Sequence, residues 1–83
     1  MSHEAGHKSG EQKLVYMANQ IAAFFQTMPH EEAADGVADH INKFWEPRMR
    51  RRLLAILDAG GEGLAPLVIE AAPKIKRPQQ SAA

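Results

Sequence analysis

The chain has 83 residues, which is enough for one small domain but too few for an enzyme that builds a deep cleft of its own. It contains no cysteine, which excludes disulfides, thiolate zinc sites, a cysteine nucleophile and iron–sulfur ligation by this chain. Ten basic residues balance ten acidic ones, so no overall field attracts nucleic acid or anionic membrane. A core of this size seldom supplies more than about 3–5 kcal/mol of net stability, so stabilisation by a partner chain is expected.

Prolines and glycines divide the chain into four predicted helical segments. Residues 1–11 show no apolar segment of the kind found in signal peptides, and we predict a flexible leader there. Residues 76–83 predict a flexible tail, which leaves 12–75 as the folded domain. No segment alternates with a period of two, so the predicted class is all-α, a small bundle of three longer helices plus one short C-terminal helix. The uncharged run 14–30 holds too many amides to span a membrane, and we expect a soluble chain.

The first predicted helix runs from about Gln12 to Thr27 and has an unusual polar face. That face carries no charge after Lys13, whereas solvated helices usually carry lysine and glutamate. Two readings are open: an ordinary helix of low charge, or a second contact face, since uncharged polar groups are cheaper to desolvate than ions. The predicted contacts on the polar face are Tyr16, Asn19 and Gln26, and the predicted core stripe is Leu14, Met17, Ile21, Phe24 and Met28, with Ala18, Ala22 and Phe25 beside it.

The second predicted helix has Pro29 in its first turn, where a missing N–H costs nothing. Its apolar side ends in Phe44 and Trp45, which we expect to close the core. Trp45 has two interpretations, as a core anchor or as a half-exposed contact beside arginines. His40 lies at the edge of the apolar stripe, which favours a partly buried structural imidazole. Gly36 falls on the polar side, where it leaves room for a close backbone approach.

The third predicted helix begins at Pro47 and opens with a cluster of arginines. Cations in the first turns of a helix oppose its dipole by about 0.3–1 kcal/mol each when exposed, and they repel one another. Such placements tend to mark functional sites, where carboxylates or a phosphate recover the cost. The alternative is a solvated basic face that is offset by Glu46 and the acidic second helix. We predict that a partner is contacted by Trp45, Arg48, Arg50, Arg51 and Arg52.

Arg50 differs from its neighbours because it falls among the apolar positions of the third helix. An arginine there needs a carboxylate or a backbone partner, either inside the domain or across an interface. Beyond this helix, Gly60–Gly63 indicates a C-cap and loop, and Pro66 opens the short fourth helix.

The sequence offers little for catalysis. The segment His3-Glu4-Ala5-Gly6-His7 matches the pattern of zinc metalloproteases, but neither a third ligand nor a substrate cleft is supported. No nucleophile has a plausible base and orienting group. We therefore predict a protein that is not an enzyme, with no catalytic, cofactor-binding or metal-binding residues of its own.

Several segments carry a likeness to a known family. The most specific is His40-Ile41-Asn42-Lys43-Phe44-Trp45-Glu46-Pro47-Arg48-Met49-Arg50, supported by 17–25, 29–33 and 60–68. Together these segments resemble the delta subunit of bacterial NAD-dependent formate dehydrogenase. The resemblance implies a cytoplasmic accessory subunit of a molybdenum- or tungsten-dependent complex that oxidises formate and reduces NAD.

The resemblance also implies a division of labour within that complex. Molybdopterin, iron–sulfur clusters and flavin are expected in the larger subunits, and none is expected on this chain. The small subunit is expected to dock on the large catalytic subunit and to support assembly, cofactor loading or stability. In isolation it can form a homo-oligomer, and neither nucleic acid nor membrane is an expected partner.

A rival hypothesis is a nucleic-acid-binding regulator in which the second and third helices form a helix-turn-helix. It requires the arginines from Arg48 to Arg52 to face phosphate or a groove. The zero net charge and the adjoining acidic helix argue against it.

Overall fold

A computed structural model describes the backbone of residues 2–78 and the side chains of residues 10–78. This part of the chain is all-helical, which confirms the predicted bundle of three longer helices and one short one. No helix within it is both long enough and apolar enough to cross a membrane. The elements are α1 Ser2–Phe25, α2 His30–Phe44, α3 Pro47–Asp58 and α4 Pro66–Ala71, followed by a 3₁₀ turn at Ala72–Lys74.

Helix α1 begins at Ser2, well before the start predicted at Gln12. No proline interrupts this stretch, so the backbone ladder continues through Gly6 and Gly10 although each costs about 1 kcal/mol relative to alanine. The flexibility expected of 1–11 and of 76–83 stays a prediction. Met1, the side chains of 2–9, which include the His-Glu-x-x-His segment, and all of 79–83 lie outside the described residues.

Proline and glycine set the helix ends, as the sequence indicates. Pro47 and Pro66 each occupy the first turn of a helix, where no backbone hydrogen bond is lost. Helix α3 ends in a Schellman motif: Gly61 N–H donates to Ile56 C=O at 2.8 Å, and Gly60 N–H donates to Leu57 C=O at 3.1 Å. Both glycines have positive φ, at 68° and 121°, which an L side chain rarely adopts. The predicted C-cap is therefore confirmed.

The core lies where all four helices meet. It is lined by Leu14, Ala18 and Ala22 of α1, Val37, Ala38 and Ile41 of α2, Trp45 at the C-terminal end of α2, Leu53 and Leu54 of α3, and Leu64, Val68, Ala71 and Ile75.

Three residues expected in the core are exposed instead. Phe24 is 69% exposed, Met28 is 41% exposed and Phe44 is 70% exposed. Phe24 is displaced because α1 faces the core with the small residues Ala18 and Ala22, and Met28 because α1 ends at Phe25 and leaves it in the following turn. More than half of the circumference of α1 is apolar or small, so helical spacing alone is compatible with several core-facing stripes. Packing against the other helices determines which stripe is buried.

The close approach expected at Gly36 is also present. A Cβ atom built on Gly36 would lie 2.5 Å from ring atoms of Phe25, so a side chain there would collide with the aromatic ring. Phe25 is held from its other side by Phe24, in an edge-to-face pair with ring centroids 5.0 Å apart. Glycine at position 36 thus lowers the helix propensity of α2, but it allows the ring of Phe25 to pack against the α2 backbone.

Candidate functional site

The corner between α2 and α3 places two adjacent aromatic residues in opposite environments. Trp45 is 6% exposed and belongs to the core, whereas Phe44 is 70% exposed. Trp45 closes α2 through its N–H, which donates to Ile41 C=O at 2.9 Å, and then turns the chain with an extended backbone at ψ 135°. Of the two interpretations of Trp45, the core anchor is the one observed. The expectation of a half-exposed tryptophan is wrong, because the larger ring takes the single inward position at the helix end.

Arg50 finds its partners inside the domain. Its Nη1 donates to the carbonyl oxygens of Trp45 at 3.2 Å and of Asn42 at 3.4 Å. These carbonyls belong to the last turn of α2 and its cap, where intrahelical donors run out and the helix dipole favours a cation. The Nε atom of Arg50 is buried without a hydrogen-bond partner among the described residues. Arg50 therefore ties α3 to the C-terminal end of α2, and these two hydrogen bonds are called the Arg50 clasp below.

The other three arginines of the cluster behave differently. Arg48, Arg51 and Arg52 are exposed on the outer side of α3, three and four residues apart, so they share one helix face. The guanidinium of Arg52 lies against α1, since a Cβ atom built on Gly10 would come within 3.1 Å of its Nη2. Within residues 10–78 none of the three forms an ion pair.

Two acidic residues of α2 pair with lysines and not with these arginines. Asp35 pairs with Lys74 at 3.0 Å, and Asp39 pairs with Lys43 at 3.4 Å. Elsewhere Asp58 pairs with Arg77 at 2.9 Å, and His30 contacts Glu70. The neutral overall charge thus conceals a basic face on α3 that forms no ion pair among the described residues, although Glu46 lies at the N-cap of the same helix.

The residues of the predicted second patch on α1 lie in two places: Tyr16 and Asn19 border one groove and Gln26 borders another. Asn19 is used inside the domain: its Nδ2 donates to Gly63 C=O at 3.0 Å, and its Oδ1 accepts from Ala65 N–H at 2.8 Å. Tyr16, 63% exposed, borders a groove between α1 and α3 with Val15 and Ile56, whereas Gln26 borders a different hollow. Tyr16 and Gln26 are about 15 Å apart along the helix at its rise per residue.

Asn42 repeats the arrangement of Asn19 at the other end of the molecule. Its Nδ2 donates to Lys74 C=O at 3.1 Å, and its Oδ1 accepts from Lys76 N–H at 2.8 Å. Each asparagine therefore uses both ends of its amide to hold two backbone groups of a segment distant in sequence.

We expect Asn19→Ala to lower the free energy of unfolding by about 1–2 kcal/mol, because two hydrogen bonds to the α3–α4 loop are lost. Gln20→Ala, at the next and exposed position of α1, is the matched control and should change stability by less than about 0.5 kcal/mol. Urea unfolding followed by circular dichroism measures both. Equal stabilities for the two variants would contradict a structural role for Asn19.

Titratable groups do not gather into a metal site in the part of the chain with described side chains. No three histidine, aspartate or glutamate side chains there are placed to hold an ion. His40, expected to be partly buried, is so, and its ring lies against Phe44 with centroids 4.8 Å apart.

The chain is a small all-α domain with an exposed basic face on α3 and an exposed phenylalanine at the end of α2. The family model for the NADH-dependent formate dehydrogenase delta subunit, FdsD, matches residues 13–72. Because this match covers most of the 83 residues, the chain belongs to that family, and the resemblance seen in the sequence is confirmed. No curated protein sequence matches the chain.

The matched region contains the features that distinguish this surface. It spans the whole of α2, α3 and α4, and with them the buried Trp45, the Arg50 clasp and the three exposed arginines. The family name identifies a subunit of a formate dehydrogenase, so the surfaces of this chain are to be read as those of one component of a larger assembly.

Proposed function

We propose that the chain is a non-catalytic accessory subunit of a cytoplasmic, molybdenum- or tungsten-dependent formate dehydrogenase that reduces NAD. It docks on the large catalytic subunit and supports assembly, cofactor loading or stability of the complex. Molybdopterin, iron–sulfur clusters and flavin belong to the larger subunits in this proposal. The observation that carries it is the family match over residues 13–72.

The surface supports docking through Arg48, Arg51 and Arg52. All three are exposed on one face of α3, and holding them together at a helix N-terminus costs free energy in the isolated chain. A carboxylate-rich surface on the large subunit would offset that cost, and guanidinium groups suit carboxylates because they bind them in a two-point fashion. Arg50 is left out because its guanidinium is bound to the end of α2.

The role in the complex is tested by expressing the large subunits with and without this chain. We expect the complex made without it to show lower formate-dependent NAD reduction. Metal content per complex distinguishes the roles: a fall indicates cofactor loading, whereas full metal content with faster thermal inactivation indicates stabilisation. Formate oxidation by the purified small chain alone would contradict the non-catalytic assignment.

Charge reversal tests the arginine face. We expect Arg48→Glu combined with Arg51→Glu to weaken co-purification with the large subunit at least tenfold, since two attractive pairs become repulsive. The isolated variant should stay folded, because acidic groups suit the first turns of α3 better than arginines do. Lys13→Glu combined with Lys76→Glu makes the same change of net charge at exposed positions on other elements and should bind normally.

Two results would contradict the arginine proposal. One is co-purification of the arginine double variant at the level of the unaltered chain. The other is tight, steeply salt-dependent binding of the isolated chain to duplex DNA, which would favour the nucleic-acid-binding alternative.

A further inference from the structure

Phe44 is an exposed aromatic residue whose position is fixed by its surroundings. It is 70% exposed at the end of α2, and the His40 ring lies against it with centroids 4.8 Å apart. The next residue, Trp45, is buried in the core, so the backbone at Phe44 is anchored on its C-terminal side. A large apolar side chain held in water in this way loses little freedom on binding, which is the property of an interface anchor.

The Arg50 clasp adds rigidity to the same corner. Its hydrogen bonds reach the carbonyls on either side of Phe44 in sequence, those of Asn42 and Trp45. Helix α3 is tied to the corner as well, through Arg50 N–H, which donates to Glu46 C=O at 2.9 Å. The corner is therefore organised before any partner arrives.

Charge indicates the chemistry of the partner. Arg48 and Arg51 follow Phe44 on the outer side of the corner, and neither has a carboxylate partner within residues 10–78. Glu46 is the one acidic residue inside the 44–52 segment, against four arginines. An exposed apolar ring on the same short segment as exposed guanidinium groups is complementary to an apolar pocket bordered by carboxylates.

We propose that Phe44 is the aromatic anchor of the docking surface. Its ring enters an apolar pocket on the large formate dehydrogenase subunit, and Arg48 and Arg51 pair with carboxylates at the border of that pocket. This inference rests on the proposed function, and it moves the aromatic contact from Trp45, which is buried, to its neighbour.

The test compares Phe44→Ala with Phe24→Ala in the complete complex. The two phenylalanines are matched in exposure, at 70% and 69%, but Phe24 lies on α1. With a tagged large subunit, we expect Phe44→Ala to weaken binding on the order of thirty-fold and Phe24→Ala to bind like the unaltered chain. High salt should reduce the effect of the Arg48→Glu, Arg51→Glu variant and leave the Phe44→Ala effect unchanged, because burial of a ring is not screened.

The outcomes separate the anchor from the wider proposal. If the unaltered chain fails to bind the large subunit, the proposed function fails and the anchor with it. If the unaltered chain binds and Phe44→Ala binds equally well, or if both alanine variants lose binding alike, the anchor alone is overturned. The anchor is also overturned if Phe44→Ala abolishes self-association of the isolated chain in sedimentation but leaves docking intact. That result would show that the Phe44 ring contacts a second copy of this chain.

Discussion

Arg50→Glu is expected to unfold most of the isolated chain at room temperature. The substitution removes the two hydrogen bonds to Asn42 and Trp45 and directs a carboxylate at carbonyl oxygens, beside the negative end of the α2 dipole. Each hydrogen bond from a charged donor contributes about 1.5–3 kcal/mol, so the loss of both costs about 3–5 kcal/mol. A domain of this size has only about 3–5 kcal/mol of net stability, so the helical circular dichroism should fall.

Arg51→Glu is the control for this prediction, since it makes the same change at the next residue. Arg51 is exposed, and its replacement should alter stability by no more than about 0.5 kcal/mol. Arg50→Lys keeps the charge but loses the planar fork, and we expect an intermediate loss. Thermal unfolding of the three variants measures the order, and an Arg50→Glu variant as stable as Arg51→Glu would show that the clasp does not hold α2.

The clasp also decides how docking can be tested. Reversing Arg50 together with Arg51 would lower binding through unfolding, whatever surface the partner uses. Arg48 and Arg51 can be reversed without removing a hydrogen bond to the end of α2, because both side chains are exposed and it is Arg50 that donates to the carbonyls there. Loss of binding by that variant then reports on the surface and not on the fold.

The sequence predicts the framework of this fold well because the framework depends on local chemistry. Prolines at helix starts and the glycines after α3 act through neighbouring backbone groups, which the sequence contains in full. Arg50 was recognisable as an anomaly for the same reason, since helical spacing alone places it among apolar residues. That its partner is backbone and not another subunit depends on the path of the chain through the corner, which spacing does not specify.

Which side chains are exposed is harder to predict, because the same helical spacing is compatible with more than one set of buried residues. Helical periodicity places Phe44 and Trp45 on the same side of α2, but only one ring fits inward where the helix ends. The sequence predicts Asn19 as a contact residue because it lies on the uncharged polar face of α1, whereas its observed partners, Gly63 and Ala65, are more than forty positions away. Of the predicted contacts, the exposed ones are Arg48, Arg51, Arg52, Tyr16 and Gln26, and their role stays a proposal.

Trp45→Ala is the second substitution with a large expected effect. Trp45 is 6% exposed and packs in the cluster where the four helices meet, so removing its ring leaves a cavity. Aromatic-to-alanine changes in a core cost about 3–5 kcal/mol, which again approaches the whole stability of a small domain. Circular dichroism during urea unfolding is the suitable measurement, because the substitution removes the only tryptophan and its fluorescence.

Phe44→Ala serves as the control here, since it changes the adjacent aromatic residue without opening the core. It should keep the stability of the unaltered chain to within about 0.5 kcal/mol, because its ring is already mostly in water. If the Trp45→Ala chain has the free energy of unfolding of the unaltered chain but no longer binds the large subunit, Trp45 is a contact residue and not a core residue. The expected pattern is the reverse, with stability depending on Trp45 and docking on Phe44, because the turn at the end of α2 sends one ring inward and leaves the other outside.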